Sequence, residues 1–364
     1  MRHRFHALCP YFAMFPEQFA TKWIERLTAP GDYVLDPFSG RGTTALSAVL
    51  LGRHAISSDT NDVAYCLTLA KTNPPQYRAV RNRVRQLKDE YCNLGKIGFK
   101  EKLPLFFKWA FSTKTLPQLV FLRDRLQWRS SKIDAMVAAL VLGSLHGESR
   151  TSRTYLSNQM PRTISTKPDY SVRFWNKRDW HPPNRDAFDL IEDRLDFRYV
   201  SSVPKAHSLV FHADMRKLPY LLDPRKIPVA CVITSPPYMD VTNFEEDQWL
   251  RLWLLGGPPY PTRNRLNSDD RHTGEDKYWS FIADMWRSLG AVLKRNSHIV
   301  LRVGSRRQSP DAIRNCLRHT SGQSGRNVRL VSSRTSEIRN RQTRAFSPGS
   351  LGCLLELDCH FVMQ

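Results

Sequence analysis

One segment, "GDYVLDPFSGRGTTALSAVLLGRHAISSD" from Gly31 to Asp59, constrains the fold more than any other. Tyr33 to Leu35 reads as a short strand, "TTALSAVLLG" as an Ala/Leu-rich helix stopped by Gly52, and "RHAISSD" as a second strand. Strand, helix and strand at this spacing form one βαβ unit, which predicts a parallel sheet. The pattern resumes late in the chain with the strands "SLVFHAD" and "VACVITS", the helix "YWSFIADMWRSLGAVLK" and the strand "SHIVLRVGS". The last two apolar runs, "RNVRLVSSRTSEI" and "LGCLLELDCHFVM", read as an antiparallel hairpin. The expected fold is α/β and Rossmann-like, a mixed sheet with a C-terminal antiparallel hairpin.

Between these parts, from about Pro74 to Pro204, the helical period of 3.6 takes over. "YRAVRNRVRQLKDEY" puts Val80, Val84, Leu87 and Tyr91 on one face of a basic amphipathic helix. "TLPQLVFLRDRL" and "KIDAMVAALVLGSLHG" also read as helices, and "ESRTSRTYLSNQMPRTISTKPDYSVRFWNKRDWHPP" as irregular chain. The expected division is 1–75 and 205–364 for the α/β part, with 76–204 a mainly helical subdomain inserted into it.

Charge narrows the partners. Lys and Arg number 55 against 34 acids, a net +21. Residues 76–204 hold 24 Lys and Arg against 13 acids, so about half of the excess sits in that third of the chain. Such a balance points to a polyanion, or to a merely solvated basic surface. No run of apolar residues reaches the roughly 18 needed for a membrane helix. "MRHRFHALCPYF" lacks the apolar stretch of a secretory signal, so a cytoplasmic protein is expected. The seven cysteines form no CxxC pair, which fits a reducing compartment and predicts no metal; Cys353 and Cys359-His360 read as terminal-strand residues rather than ligands.

Two motifs carry chemistry. Gly40-Arg41-Gly42-Thr43-Thr44-Ala45 satisfies GxGxxA between a strand and a helix, a ligand loop at the carboxyl edge of the sheet. A dinucleotide fits poorly, because Asp36 at the strand end would face a pyrophosphate of like charge. A carboxylate there suits a cation, and S-adenosylmethionine offers the ammonium of its methionine moiety with no phosphate to repel. Asp59, ending the second strand, suits ribose hydroxyls, and Asp214, ending "SLVFHAD", the adenine amine; helix capping is the alternative role for strand-end aspartates.

The second motif is Thr234-Ser235-Pro236-Pro237-Tyr238, directly after the buried run "VACVI". Pro236 and Pro237 remove two N–H donors and stiffen the turn. What remains, the Ser235 side chain and the Pro236 carbonyl, is an acceptor pair for the two protons of an exocyclic base amine. Holding those protons away from the ring plane localises the nitrogen lone pair, and Tyr238 offers a face for the base.

DPFSGRGTT together with TSPPY resembles the S-adenosylmethionine-dependent amino-methyltransferases that modify exocyclic nitrogens of DNA bases. "HALCPYFAMFPEQF" resembles their N-terminal segment. The resemblance covers about residues 5–75 and 205–364. It implies a cofactor site at Phe15, Pro16, Asp36, Pro37, Phe38, Ser39, Gly40, Gly42, Thr43, Thr44, Asp59 and Asp214, with Phe15 and Pro16 against the methionine end. It implies catalysis by Ser235, Pro236, Pro237 and Tyr238 on a base flipped out of double-stranded DNA. Ser in the first tetrapeptide position is commoner in enzymes acting on cytosine N4, which makes that amine the leading target and adenine N6 the alternative. An RNA base, a non-catalytic nucleic-acid-binding relative and, distantly, a dehydrogenase stay open. A restriction endonuclease acting on the same site is a further partner to consider.

No recognition domain is expected beyond the last strand, so sequence reading falls to the middle region and the loop Gly256 to Asp276. Candidate DNA contacts are Arg150, Arg153, Arg162, Arg173, Lys177 and Arg178, with Trp175 and Trp180 either core or fillers of a vacated base position. Arg302, Arg306, Arg307, Arg339, Arg341 and Arg344 form a C-terminal basic cluster expected to meet phosphates.

Overall fold

A computed structural model describes residues 3–11, 15–94, 102–147, 153–160, 167–202, 206–239, 244–262, 274–305, 308–337, 353 and 355–364. Among them, seven strands form one sheet: β1 Tyr33–Asp36, β2 His54–Asp59, β3 Ser208–His212, β4 Val229–Thr234, β5 Leu293–Gly304, β6 Val328–Glu337 and β7 Leu355–Met363. Their order is β3-β2-β1-β4-β5-β7-β6. The first five run parallel, and β7 enters antiparallel between β5 and β6. The α/β reading and the terminal hairpin are both realised.

The sheet is covered on both faces, which explains why its central strands are nearly continuous apolar runs. Leu35, Ile56, Val232, Ile299 and Leu301 point into one core with Trp286, Leu289 and Phe361. Their sequence neighbours Val34, Ala55, Cys231, Ile233 and Val300 point into another, with Phe19, Ile24, Ala45 and Val49. The period-2 alternation of strand side chains thus splits one run of residues into two cores. Each fully buried aliphatic side chain there contributes about 1.5–3 kcal/mol. A one-residue slip of register would exchange the two sets.

The chain divides into two compact units. The α/β unit takes residues within 13–68, 203–243 and 267–364. The helical unit takes 69–202, but also residues within 1–12 and 244–266, so it is assembled from three stretches of chain rather than from the single 76–204 segment. Its basic helix, Tyr77–Asn93, buries Val80, Val84 and Leu87 and packs against Lys132–Ser144 and Ala187–Arg198. Arg83 ties the first two together by a 2.8 Å bond to Asp134.

One local reading is corrected. The stretch 148–183, read as irregular, contains a helix at Pro168–Asn176. Pro168 and Asp169 are good first-turn residues, and Ser171 and Trp175 form its buried side. Trp175 is fully buried, tilted against Phe106, with its indole N–H donating to the Gln159 carbonyl at 2.5 Å. It is a core residue and has no role in filling a base position.

Candidate active site

Strand order reverses between β1 and β4, which lie side by side and parallel, and it is outside such a switch point that open α/β sheets bind ligands. Both motifs meet there. Asp36 ends β1 and Thr234 ends β4, and the Thr234 hydroxyl donates to Asp36 Oδ1 at 2.6 Å across 198 residues of sequence. The Phe38 amide donates to the same oxygen at 3.2 Å. Asp36 is 1% exposed, and burial raises its pKa to about 6 in spite of these bonds. The Thr44 hydroxyl donates to the Ile233 carbonyl at 3.0 Å, fastening the helix Thr43–Leu50 to β4.

The glycine loop is built by its neighbours. The Gly40 amide donates to Asp59 Oδ2 at 2.8 Å, and the Asn61 amide to Asp59 Oδ1 at 2.9 Å. Ser39 N–H reaches the Ser58 carbonyl at 3.1 Å, so the loop after β1 is laid along the end of β2. Gly42 has φ +73°, and a Cβ there would stand 2.7 Å from Thr68 Oγ1. Conformation and close approach both demand glycine. Burial raises Asp59 to about 6 as well, ahead of the lowering effect of its amide donors.

A buried carboxylate, Asp36, and a half-buried one, Asp59, beside a glycine turn make a site that favours a cation with hydroxyl donors and repels phosphate. The ammonium and ribose of S-adenosylmethionine match that donor set. Other expected cofactor contacts lie differently. Phe15 is packed in the core, edge-on to Phe19 at 5.1 Å, and Pro16 begins the helix Glu17–Leu27 at the surface. Pro37 and Ser39 are buried in the loop, Thr43 is buried at the start of the helix after it, and Phe38 leans on Phe281 at 5.3 Å. Asp214 caps a 3-10 turn, accepting from the Arg216 amide at 2.9 Å, and pairs with the Arg216 guanidinium. It fills the capping role.

After Thr234 the chain leaves β4 as Ser235-Pro236-Pro237-Tyr238, half-buried at Ser235 and Tyr238, and Met239 forms a parallel bridge to Ser305 beyond β5. Tyr238 Oη donates to Glu356 Oε1 at 2.8 Å. Burial, then the Glu356 charge, push the phenol well above its ordinary range, against a smaller pull from the Ser235 hydroxyl, so Tyr238 stays a neutral donor. Glu356 was not read from the sequence as a site residue. The signal that could have found it is the alternation of acids in "LELD", Glu356 and Asp358, which puts two carboxylates on one face of a terminal strand in a strongly basic chain.

The arginine expectations divide. Arg302 is no phosphate contact: its guanidinium grips Asp358 at 2.7 and 2.8 Å and lies 3.9 Å over the Phe19 ring. In the helical unit Arg153, Arg173, Lys177 and Arg178 are exposed, with Arg178 3.9 Å over Phe174 and Trp180 half-buried nearby. Arg150, Arg162, Arg306, Arg307, Arg339, Arg341 and Arg344 lie outside the described residues. Among the described residues no His, Cys, Asp and Glu group could hold a metal, and no helix is long and apolar enough to cross a membrane.

Solved structures of related shape include the rRNA methyltransferase aviRa from Streptomyces viridochromogenes, at 13% identity and a TM-score of 0.38 over 100% of this chain and 94% of that one. TrmN from Thermus thermophilus shares 11% identity at a TM-score of 0.39, over 99% of this chain and 52% of the other. An rRNA methylase from Streptococcus thermophilus shares 8% at 0.34, over 97% and 99%. Likeness at that level bears on neither substrate nor mechanism. No curated protein matches the chain. Residues 3–71, which include β1, the glycine loop and β2, match the N6/N4 DNA methylase family, and the methyl donor of such enzymes is S-adenosylmethionine.

Proposed function

We propose that the protein transfers a methyl group from S-adenosylmethionine to the exocyclic N4 of cytosine in double-stranded DNA. The observation that carries this reading is the 2.6 Å bond from Thr234 to Asp36, which sets the amine-accepting turn beside a buried carboxylate at the switch point of the sheet. The DNA methylase match over residues 3–71 supports the reaction class and the polymer.

When bound, S-adenosylmethionine supplies an electrophilic methyl on a cationic sulfur. The protein's part is positioning and charge. Asp36 neutralises the ammonium, and Asp59 accepts from ribose hydroxyls while its other contacts hold the glycine loop. The Ser235 hydroxyl oxygen and the Pro236 carbonyl accept the two amine protons, keeping the nitrogen lone pair out of conjugation and directed at the methyl. Positioning of this kind supplies several kcal/mol of a transfer barrier, typically about 7–11 kcal/mol where alignment is complete. Tyr238 gives the flipped base a surface to stack on, worth about 1–3 kcal/mol. Arg153, Arg173, Lys177 and Arg178 are the proposed DNA contacts of the helical unit, and the net charge of +21 draws the polyanion in. The same reading extends to a restriction endonuclease sharing the target sequence, whose cleavage the modified base would block.

The test is mass spectrometry of nucleosides from duplex DNA incubated with the protein and S-adenosylmethionine. N4-methylcytosine is the expected product. N6-methyladenine would move the target to the other amine of the matched family, and no methylated base in varied duplex DNA would overturn the reading.

A further inference from the structure

The register of the C-terminal hairpin places Arg302 opposite Asp358 and Gly304 opposite Glu356. With a period of two, all four residues share one face of the sheet. The Tyr238 ring comes down on that face: a Cβ on Gly304 would lie 2.7 and 2.9 Å from its Cε2 and Cδ2, so no larger residue fits beneath it. The phenol then reaches Glu356, 2.8 Å away, and Glu356 is held in turn by Arg302 at 3.4 Å. Arg302 itself is clamped between Asp358 and the ring of Phe19, which touches Phe15. One line of contacts therefore runs from the helix Glu17–Leu27 to the last residue of the Ser-Pro-Pro-Tyr turn.

Resting on the proposed function, we infer that Glu356, fixed by Arg302, is a positioning residue for methyl transfer, acting through the Tyr238 hydroxyl. Tyr238 follows two prolines whose φ angles are locked, so anchoring its side chain removes the remaining freedom of the turn. With the ring pinned on Gly304, the Ser235 and Pro236 acceptors stand in one geometry before the base arrives, and no ordering cost falls on the reaction step. A carboxylate serves better than a neutral acceptor because hydrogen bonds to charged groups are shorter and stronger. Its charge is in turn compensated by Arg302, 3.4 Å away.

The experiment compares Tyr238→Phe, Glu356→Ala, Glu356→Gln and the double variant Tyr238→Phe/Glu356→Ala in the full chain. Tyr238→Phe and Glu356→Ala each lower kcat about tenfold, the worth of one charge-assisted bond. The DNA KM and the cofactor Kd stay within about twofold, as for an interaction that matters at the transition state. The double variant is no slower than the worse single one, and Glu356→Gln, which still accepts from the phenol, recovers most of the rate. Hydrogen exchange at the Tyr238 and Met239 amides rises in Tyr238→Phe and Glu356→Ala and stays near wild type in Glu356→Gln. Additive losses in the double variant, or Tyr238→Phe with unchanged kcat and unchanged exchange, would overturn the inference. If the wild-type chain methylates no base, the proposed function falls by itself; exchange then decides the anchoring of Tyr238, and unchanged protection in Glu356→Ala rejects it.

Discussion

The two units bury charge in opposite ways. In the α/β unit a deeply placed cation, Arg302, is answered by two carboxylates, Asp358 at 2.7 Å and Glu356 at 3.4 Å. In the helical unit Arg251 is 0% exposed, yet among the described residues its guanidinium meets only the Leu142 carbonyl at 3.2 Å and the Gln248 amide oxygen at 2.7 Å. No carboxylate pairs with it among the described residues, and its Nη2 has no hydrogen-bond partner. His146 beside it is pulled well below its ordinary range, by burial first and by the Arg251 charge second, so it is neutral and adds no second cation. The lesson is that paired charge marks where this chain needs fixed geometry. The salt-bridged cluster stands under the Ser-Pro-Pro-Tyr turn, whereas Arg251 has only neutral hydrogen-bond partners among the described residues.

The sharpest way to break this comparison is Arg302→Met. It leaves Asp358 and Glu356 facing each other on one sheet face without their counter-ion, and loss of one partner of a buried pair costs about 3–5 kcal/mol. Urea unfolding should show a fall of that order. A loss under about 1 kcal/mol, the value of an exposed pair, would mean that the cluster is solvated and orders nothing.

A second test uses Asp36, the fully buried carboxylate that ends β1. Its folded pKa, about 6, lies above its ordinary 3.8, so the folded state holds a proton that the unfolded state has already released. Any stability this contributes is present below about 4 and is lost as pH rises through 6. At pH 7 the ionised group therefore costs about 3 kcal/mol. Asp36→Asn, which keeps an oxygen for Thr234 and Phe38, should raise the melting temperature at neutral pH and flatten its decline between pH 4 and 7. Cofactor affinity should run the other way, rising with pH through about 6 in the wild type and falling sharply in the variant at neutral pH. An Asn variant that binds the cofactor normally would remove Asp36 from the ammonium site.

How much of this was legible beforehand follows from the range of each interaction. The βαβ unit, the terminal hairpin and both motifs are written in consecutive residues, where strand period, helix period and glycine position act over a few neighbours. The meeting of Asp36 with Thr234 was legible in part, because both close strands that topology rules place side by side. Glu356 was not, since 118 residues separate it from Tyr238 and only the strand register brings them together. Arg302 was misread for a related reason: in a chain with 55 basic residues, one more arginine looks like a phosphate contact until its cross-strand partner is known. Helix Pro168–Asn176 was hidden by its polar, Arg-rich setting, although Pro168, Asp169 and the spacing of Ser171 to Trp175 carried the signal.

The smallest expected effect sharpens the comparison most. If Arg251 is an uncompensated charge, replacing it with Met, of similar length and without charge, removes a desolvation cost and strands no carboxylate. Only the Leu142 carbonyl and the Gln248 amide lose a donor, each worth about 1 kcal/mol. Relief of an unpaired buried cation is of order several kcal/mol before relaxation. Arg251→Met should therefore be neutral to stabilising by about 1–2 kcal/mol in urea unfolding, in contrast to the large loss from the same substitution at Arg302. His146 supplies a second reading of the same site. With the Arg251 charge gone, one of the two forces holding its imidazole neutral disappears, so its titration by NMR should move upward, while burial still keeps it below the ordinary value. Destabilisation of Arg251→Met by as much as Arg302→Met would mean that both units pair their buried cations, and that the contrast between them is one of partner type rather than of charge balance.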